Sequence, residues 1–172
     1  ELYGGKKDDI GNKWFIGEAI NVNYDYEFDG IWQTSEADKA AIYGQTPGQV
    51  KVKDQNHDNV IDAKDKVILG QQLPKWTGSI TNTFTYKNFD FSVFAMARYG
   101  QTINSDLLGY YTAEQSVTKN QLAGVDYWTE DNQGAYFPRP GTGDEQKTVY
   151  PSLRVHDGSF IKIKNITLGY TL

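Results

Sequence analysis

Residues 76 to 99 read WTGSITNTFTYKNFDFSVFAMARY, and this stretch decides the fold because apolar and polar side chains alternate along it. A period of two residues is typical of a β-strand with one apolar face. The pattern pauses at Lys87-Asn88, and two strands separated by a two-residue turn that contains Asn form a β-hairpin. The apolar face of the predicted hairpin carries Trp76, Ile80, Phe84, Tyr86, Phe89, Phe91, Val93, Ala95, Ala97 and Tyr99.

This apolar face is compatible with two surroundings. Each strand has about the length of the 9 to 11 residues that cross an outer membrane at a tilt, and the aromatic residues at its ends would mark the two membrane interfaces. A hairpin in a soluble β-sandwich, with one face in the protein core, shows the same alternation. The alternation alone leaves both interpretations open.

The composition narrows the class of protein. Aromatic residues make up 14% of the chain, and the mean hydropathy is -0.61. The longest apolar runs are far shorter than the roughly 20 residues of a membrane helix, which excludes a helical membrane protein. The chain has no Cys, which excludes a disulfide framework and a thiolate metal site.

The charge distribution bears on whether the chain would bind nucleic acid. The formal net charge is -5, and residues 1–66 hold 13 acids and 8 bases, so the imbalance lies in this part. No basic surface for nucleic acid is predicted.

We also expect the chain to be a fragment of a larger protein, because it opens without a signal segment and stops inside a predicted strand.

The region before the hairpin shows a strand, a helix and a turn. Strict alternation from Ile20 to Phe28 predicts a strand with one polar face. Ser35 is a suitable cap for a short helix from Glu36 to Tyr43, which has its acids in the first turn. The run Thr46-Pro47-Gly48 then predicts a turn.

The last segment alternates with a change of phase. Ile161 and Ile163 share one parity, whereas Ile166 and the apolar residues after it share the opposite one. The slip at Lys164-Asn165 predicts a β-bulge, in which one extra residue restores the facing of the strand.

Residues 54 to 65 read DQNHDNVIDAKD and resemble a calcium-binding loop. Side-chain oxygens fall at loop positions one, three, five, nine and twelve, with a backbone carbonyl at position seven. Asn59 occupies position six, which requires a positive φ, and Asn tolerates this better than most residues. An Asp rather than a Glu at position twelve predicts weaker binding. The predicted Ca²⁺ ligands are Asp54, Asn56, Asp58, Val60, Asp62 and Asp65.

Catalytic motifs are missing from the sequence. The chain holds only two histidines, His57 and His156, and His57 lies within the calcium-like loop. Neither a G-x-S-x-G nor an H-E-x-x-H run occurs, and a choice of two acids for glycosidase chemistry would be arbitrary. The sequence therefore does not predict an enzyme.

Several segments together resemble one family, the SusC/RagA-type TonB-linked outer-membrane transporters of Bacteroidota. The resemblance covers nearly the whole chain, and it rests on the order and spacing of these runs: 24–34 (YDYEFDGIWQT), Pro47-Gly48, 53–58 (KDQNHD), Val60-Ile61-Asp62, Leu69-Gly70, 73–76 (LPKW), 86–94 (YKNFDFSVF) and 157–172 (DGSFIKIKNITLGYTL).

The resemblance implies an all-β fold, as part of a large transmembrane antiparallel β-barrel of about 22 strands, with long extracellular loops and one short helix. Three spans cannot close a barrel, for which about eight strands are the minimum, so the plug, the TonB box and most of the barrel would lie outside these residues. The implied parts are an extracellular loop region with a rim strand, short helix and EF-hand-like calcium loop (1–75), a transmembrane hairpin (76–100), a long extracellular loop (101–158) and a transmembrane strand (159–172).

The resemblance also implies a function. Such transporters of the outer membrane import oligosaccharides or peptides together with a SusD-like surface lipoprotein, and the TonB complex supplies energy through parts of the chain not present here. External aromatic residues would contact the ligand, contact the lipoprotein lid or pack within the loop, with packing favoured over direct ligand contact. The candidates are Trp32, Tyr111 and Trp128. The alternative is a soluble, calcium-stabilised β-rich module that binds carbohydrate or protein, with Ca²⁺ as its cofactor.

Overall fold

A computed structural model describes residues 7–105, 123–140 and 153–172. Strands dominate this part of the chain, and its one α-helix is short, in agreement with the predicted all-β class. The helix α1 spans Ala37–Ile42, after a 3₁₀ turn at Thr34–Glu36, and a second 3₁₀ turn spans Ala63–Asp65. The strands are β1 (Val22–Tyr26), β2 (Phe28–Ile31), β3 (Val50–Val52), β4 (Lys66–Gln71), β5 (Trp76–Tyr86), β6 (Phe89–Tyr99), β7 (Thr102–Asn104), β8 (Val155–Asp157) and β9 (Phe160–Tyr170).

The chain divides into two compact units, built from residues 1–22, 70–103 and 157–172 and from residues 23–69 and 104–156. The first unit is organised around a three-stranded antiparallel sheet in the order β5-β6-β9. The second contains short two-stranded pairings and a small core of its own. That core consists of Tyr26, Ile31, Val50, Val52, Trp128, Ala135 and Leu153.

The hairpin of β5 and β6 has the predicted bounds. Trp76 pairs with Tyr99 and Tyr86 pairs with Phe89, so Lys87 and Asn88 form the two-residue turn. Only the first of these two residues has a positive φ, 53° at Lys87. A positive φ at the first central position is common to the type I′ and type II′ turns of two-residue hairpins.

The predicted bulge in the last strand is present. Phe94 of β6 pairs with Asn165, and the next residue, Ala95, pairs with Ile163, so Lys164 is the extra residue. Because a one-residue insertion reverses the facing of everything beyond it, Ile163 and Ile166 lie on the same face of the sheet despite their opposite parity.

The predicted single strand from Ile20 to Phe28 is wrong in two respects. It divides at Glu27 into β1, which pairs with β4, and β2, which pairs with β3. Its polar face is also not exposed to solvent along its whole length, because Asn23 is buried. A local pattern indicates that a segment is extended, but it does not specify which partner each half will bind.

The predicted helix is present but shorter than Glu36 to Tyr43, and Ser35 does not cap it. Ser35 lies inside the 3₁₀ turn that precedes α1. The turn is closed instead by Glu36, whose carboxylate accepts a hydrogen bond of 3.1 Å from the backbone N–H of Gln33. The predicted turn at Thr46-Pro47-Gly48 is present, with Gly48 at a φ of 85°.

Candidate functional site

The calcium-like loop runs from the end of β3 to the 3₁₀ turn Ala63–Asp65, and its first and last acids close it. Asp54 and Asp65 are buried. The carboxylate of Asp54 accepts backbone N–H hydrogen bonds from His57 at 2.7 Å and Asn59 at 2.9 Å. The carboxylate of Asp65 accepts from the backbone N–H of Gln55 at 2.9 Å and of Asp62 at 2.8 Å. The two buried acids therefore satisfy the backbone donors of the loop.

The middle positions of the loop face solvent. Asn56 donates its side-chain amide to the Asp58 carboxylate at 2.9 Å and accepts from the Asp58 backbone N–H at 3.0 Å. The ammonium of Lys64 lies 3.9 Å from a carboxylate oxygen of Asp58 and 3.5 Å from one of Asp62. Within residues 7–105, 123–140 and 153–172, no group of three or more His, Cys, Asp or Glu side chains converges to hold a metal ion.

The backbone of the loop has the predicted shape at position six. Asn59 has a φ of 64°, in the left-handed region that Asn tolerates better than most residues. His57 also has a positive φ, 60°, which the sequence did not indicate. The backbone thus turns at the predicted position, and the side-chain oxygens of the loop accept from backbone N–H groups or pair with Lys64.

Tyr43 connects the helix to the loop, and sequence reasoning missed it. Its hydroxyl donates a hydrogen bond of 3.2 Å to Asp54. Burial opposes ionisation of Asp54, but the hydrogen bonds from Asn59, His57 and Tyr43 outweigh this effect and lower the pKa of the carboxyl. Tyr43 follows the last residue of a six-residue helix, where no periodicity distinguishes it from other exposed aromatics.

We expect the loop to lose stability in acid. The pKa of Asp54 is lower in the folded state than the roughly 3.9 of an unfolded chain, so its ionised form stabilises the fold above that pH. The contribution disappears as the pH falls through the lowered folded-state pKa. Amide hydrogen exchange of residues 54–65 between pH 6 and pH 2, corrected for intrinsic rates, measures it. Asp54→Asn should flatten this dependence, and an unchanged profile in that variant would contradict the assignment.

The indole ring of Trp32 packs against neighbouring side chains. It is buried, and its ring N–H donates to the side-chain oxygen of Gln45. The ring stacks on Tyr43 with centroids 5.8 Å apart, and the ammonium of Lys51 lies 5.1 Å from the ring centroid. Trp32 therefore supports the surrounding side chains, and its predicted contact with a ligand or lid stays a prediction.

The indole ring of Trp128 is also buried. It belongs to the core of the second unit, and its ring N–H donates to the side-chain oxygen of Gln33 at 3.0 Å. The ring packs on Gly48, where an added Cβ would lie 2.6 Å from Trp128 Cε3. Its predicted ligand contact also stays a prediction, and Tyr111 lies outside the described residues.

The second candidate site is a face of the three-stranded sheet. Strand register and the bulge at Lys164 bring the apolar residues of β5, β6 and β9 to one side. Most of their side chains are exposed, including Ile80 at 59% and Leu168 at 71%. Aromatic residues occupy both ends of this apolar face, which consists of Trp76, Ile80, Phe84, Tyr86, Phe89, Phe91, Val93, Ala95, Ala97, Tyr99, Ile161, Ile163, Ile166, Leu168 and Tyr170.

The opposite face of the same sheet is mainly polar. It carries the threonines of β5 together with Ser92 and Arg98 of β6 and Lys162 of β9. Phe94, Met96 and Phe160 are the apolar exceptions. The sheet therefore has one apolar face and one mainly polar face. Among the described residues, no helix has the length and apolar character needed to cross a membrane.

Comparison with known proteins gives relatives of one kind. The chain is 32% identical over 160 residues to the TonB-dependent receptor P26 of Formosa agariphila, a match that covers 91% of this chain and 16% of the receptor. The TonB-dependent receptor P3 of the same organism is 31% identical, with 91% of this chain and 15% of the receptor covered. The TonB-dependent receptor SusC of Bacteroides thetaiotaomicron is 27% identical over 118 residues, 69% of this chain and 11% of SusC.

No protein-family model matches the chain. The chain spans about a sixth of the length of the P26 receptor, so it corresponds to one part of such a protein. The matches to P26 and P3 each extend over 91% of the chain. The chain is therefore a homologue of one segment of the TonB-dependent receptors, the family that includes SusC.

Proposed function

We propose that these residues form part of the wall and the outer rim of a TonB-dependent importer in the bacterial outer membrane. The apolar face of the three-stranded sheet carries this proposal. Soluble monomers rarely expose a continuous apolar patch larger than a few hundred Å². A face of three 11-residue strands with aromatics at both ends suits the lipid-facing side of an outer-membrane barrel.

The rest of the barrel would come from the remainder of the receptor. In the described sheet β5 and β9 each pair only with β6, so two strand edges are left for neighbours. Three strands do not close a barrel, and a receptor of about 22 strands would supply the others. With Lys87-Asn88 as a short periplasmic turn, residues 1–75 and 101–158 would lie on the external side, and the polar face of the sheet would border the lumen.

The substrate and partners follow from the same proposal. Oligosaccharides or peptides would enter through the external loops beneath a SusD-like lipoprotein. The TonB complex would supply energy through parts of the receptor outside these residues. The polar, threonine-rich face of β5 supports an aqueous lumen, since lumen-facing and lipid-facing residues alternate along barrel strands.

This proposal is tested by whether the segment can fold alone without detergent. The 172 residues alone should fail to fold as a monomer in plain buffer, and the receptor that carries them should fold in detergent and fractionate with the outer membrane. Circular dichroism and size-exclusion chromatography measure the first property, and membrane fractionation measures the second. Cooperative unfolding of a monomeric segment without detergent would favour the soluble binding module instead.

We further propose that the loop Asp54–Asp65 binds Ca²⁺ and stiffens the external region. Its donor set of carboxylate and amide oxygens suits a hard cation, and the positive φ of Asn59 supports the winding. Binding would require the contacts of Lys64 with Asp58 and Asp62 to give way. The ion would then take the place of these exposed ion pairs and cross-link the two ends of the loop.

Calorimetric titration measures this binding. We expect a dissociation constant on the order of 10⁻⁴ to 10⁻³ M, the range of extracellular calcium modules. Asp58→Ala should weaken binding by at least about tenfold, whereas Asp38→Ala, an acid of α1 outside the loop, should leave it unchanged. Absence of heat at millimolar calcium, or equal binding by Asp58→Ala, would contradict the assignment.

A further inference from the structure

A groove of about 490 Å³ lies on the three-stranded sheet, at the end where β5 begins and β6 ends. Its volume is within the range of small-molecule sites, roughly 300 to 1,000 Å³. Trp76 and Tyr99, which pair across β5 and β6, form one wall, and Ile161 of β9 forms the other. Ala97 of the central strand pairs with Ile161 and forms a low floor between the walls. The groove is therefore a depression in the apolar face of the sheet.

The indole ring of Trp76 lies along its own strand. An added Cβ at Gly78 would collide with Cζ2 and Cη2 of this ring, so the indole covers the glycine. Because Gly78 pairs with Ala97, the ring stands beside the floor of the groove. Trp76 is nevertheless 57% exposed. Much of the ring surface is therefore available to a molecule that enters the groove.

The polar residues around the groove offer little to a polar ligand. The hydroxyl of Ser159 already accepts a hydrogen bond of 3.0 Å from the backbone N–H of Gly100. Arg98 also borders the groove, but the register places it on the opposite, mainly polar face, where it pairs with Phe160. A charged ligand would lose its hydration in the groove without gaining a partner, which costs free energy. The groove therefore suits a hydrocarbon group.

The position of the groove on the sheet indicates its surroundings. With Lys87-Asn88 as the periplasmic turn, the groove lies at the outer end of the apolar face. Trp and Tyr are enriched at membrane interfaces, where the ring contacts hydrocarbon and the polar tip reaches water. Trp76 and Tyr99 therefore mark the outer interface, and the groove between them and Ile161 lies where lipid chains meet their headgroups.

We propose that this groove holds one acyl chain of an outer-leaflet lipid in a fixed position. The proposal rests on the proposed placement of the sheet in the outer membrane, and it adds a defined binding site to general contact with lipid. The groove is continuous with the apolar face, so a chain can enter it without leaving hydrocarbon. Strands that complete the barrel would pair with the edges of β5 and β9, and they would leave a groove centred on β6 open.

Fluorescence quenching by brominated lipid tests the groove in the whole receptor, reconstituted into phospholipid vesicles. Bromine on the upper part of an acyl chain quenches an indole that it touches, and the signal of Trp76 is the difference between each receptor and its Trp76→Phe counterpart. Trp76 should be quenched in the unmodified receptor. Ala97→Leu, which raises the floor, should lower the occupancy of the groove at least about twofold. Ala95→Leu is the matched control, because it makes the same change on the same strand and face at a residue that does not line the groove.

A second pair of variants removes a wall instead of raising the floor. Ile161 is 83% exposed, so Ile161→Ala deletes the wall with little effect on the packing of the sheet. The lost apolar contact should lower the quenching of Trp76 at least about twofold. Ile163→Ala, on the same face but outside the groove, should leave the quenching unchanged. The mobility shift of folded barrels in gels shows whether each variant is folded.

The outcomes distinguish the groove from the membrane placement. Equal quenching of Trp76 in Ala97→Leu and Ala95→Leu, and in the two isoleucine variants, would overturn the groove and leave the placement in the membrane intact. Absence of quenching in a receptor that fractionates with the outer membrane would show that protein, such as a second copy of the receptor, covers the groove instead of lipid. Absence of quenching in a receptor that does not fractionate with the membrane would overturn both proposals.

Discussion

Ile166→Lys should destabilise the membrane-inserted receptor by about 2–4 kcal/mol, the cost of a lysine near the midplane on the lipid face of a barrel. Ile166 is 61% exposed and pairs with Val93 in the middle of the apolar face. If that face contacts lipid, the ammonium loses its hydration or must reach the interface. Urea titration of the receptor in lipid vesicles, followed by the mobility shift of folded barrels in gels, measures the change.

Thr167→Lys is the matched control, since it adds the same side chain one residue along the strand. Thr167 is exposed on the opposite, polar face and pairs with Ser92. A lysine there should change stability by less than about 1 kcal/mol, because lumen-facing positions are hydrated. Equal costs at positions 166 and 167, or no cost at 166, would show that the apolar face is not covered by lipid.

The sequence predicted the sheet well because its signals are local. Alternation from Trp76 to Tyr99 and the turn at Lys87-Asn88 together determine the register of a hairpin, and the observed pairs follow it. The change of parity near Lys164 predicted one extra residue in the strand, and the structure contains this residue as a bulge. The positive φ of Asn59 follows from its place in a loop of known winding.

The region around the loop was predicted less well because its structure depends on distant partners. No sequence feature near Glu27 indicates that the predicted strand divides there into two strands, one paired with β4 and the other with β3. Ser35 does not cap the helix as predicted, because it lies inside a 3₁₀ turn that Gln33 and Glu36 close by a capping box. Local propensity is a weak guide when tertiary contacts decide the partner.

The aromatic candidates illustrate the same limit at the site. Trp32 and Trp128 are both buried, and their ring N–H groups bond to the side chains of Gln45 and Gln33. Gln and Trp residues in a loop give no periodic signal, so the sequence could not predict these hydrogen-bonded pairs. The ion pairs of Lys51 with Asp29 and Glu36 were not predicted because they join β3 to β2 and to the 3₁₀ turn.

Trp128→Ala should destabilise the second unit by about 3–5 kcal/mol, the range for the loss of a large buried aromatic. Trp128 joins a segment distant in sequence to the core formed by β2 and β3. Its ring lies against the backbone of Gly48, and Arg139 donates its N–H to the Gly48 carbonyl at 2.8 Å. Truncation would leave a cavity against Gly48 and an unpaired amide oxygen on Gln33.

Trp128→Phe separates the two contributions, because it keeps most of the ring volume and removes only the N–H donor to Gln33. Its cost should be about 1 kcal/mol beyond the change in volume. Hydrogen exchange of the Trp32 and Lys53 amides, which donate to the carbonyls of Gln49 and Glu27, measures both variants, with the β5–β6 amides as an internal reference. Trp14→Ala, at a residue with 38% exposure, controls for the loss of an indole from the surface. Equal exchange in Trp128→Ala and Trp14→Ala would show that Trp128 does not hold this core together, and the indole would then be free to serve as the ligand contact that the sequence predicted.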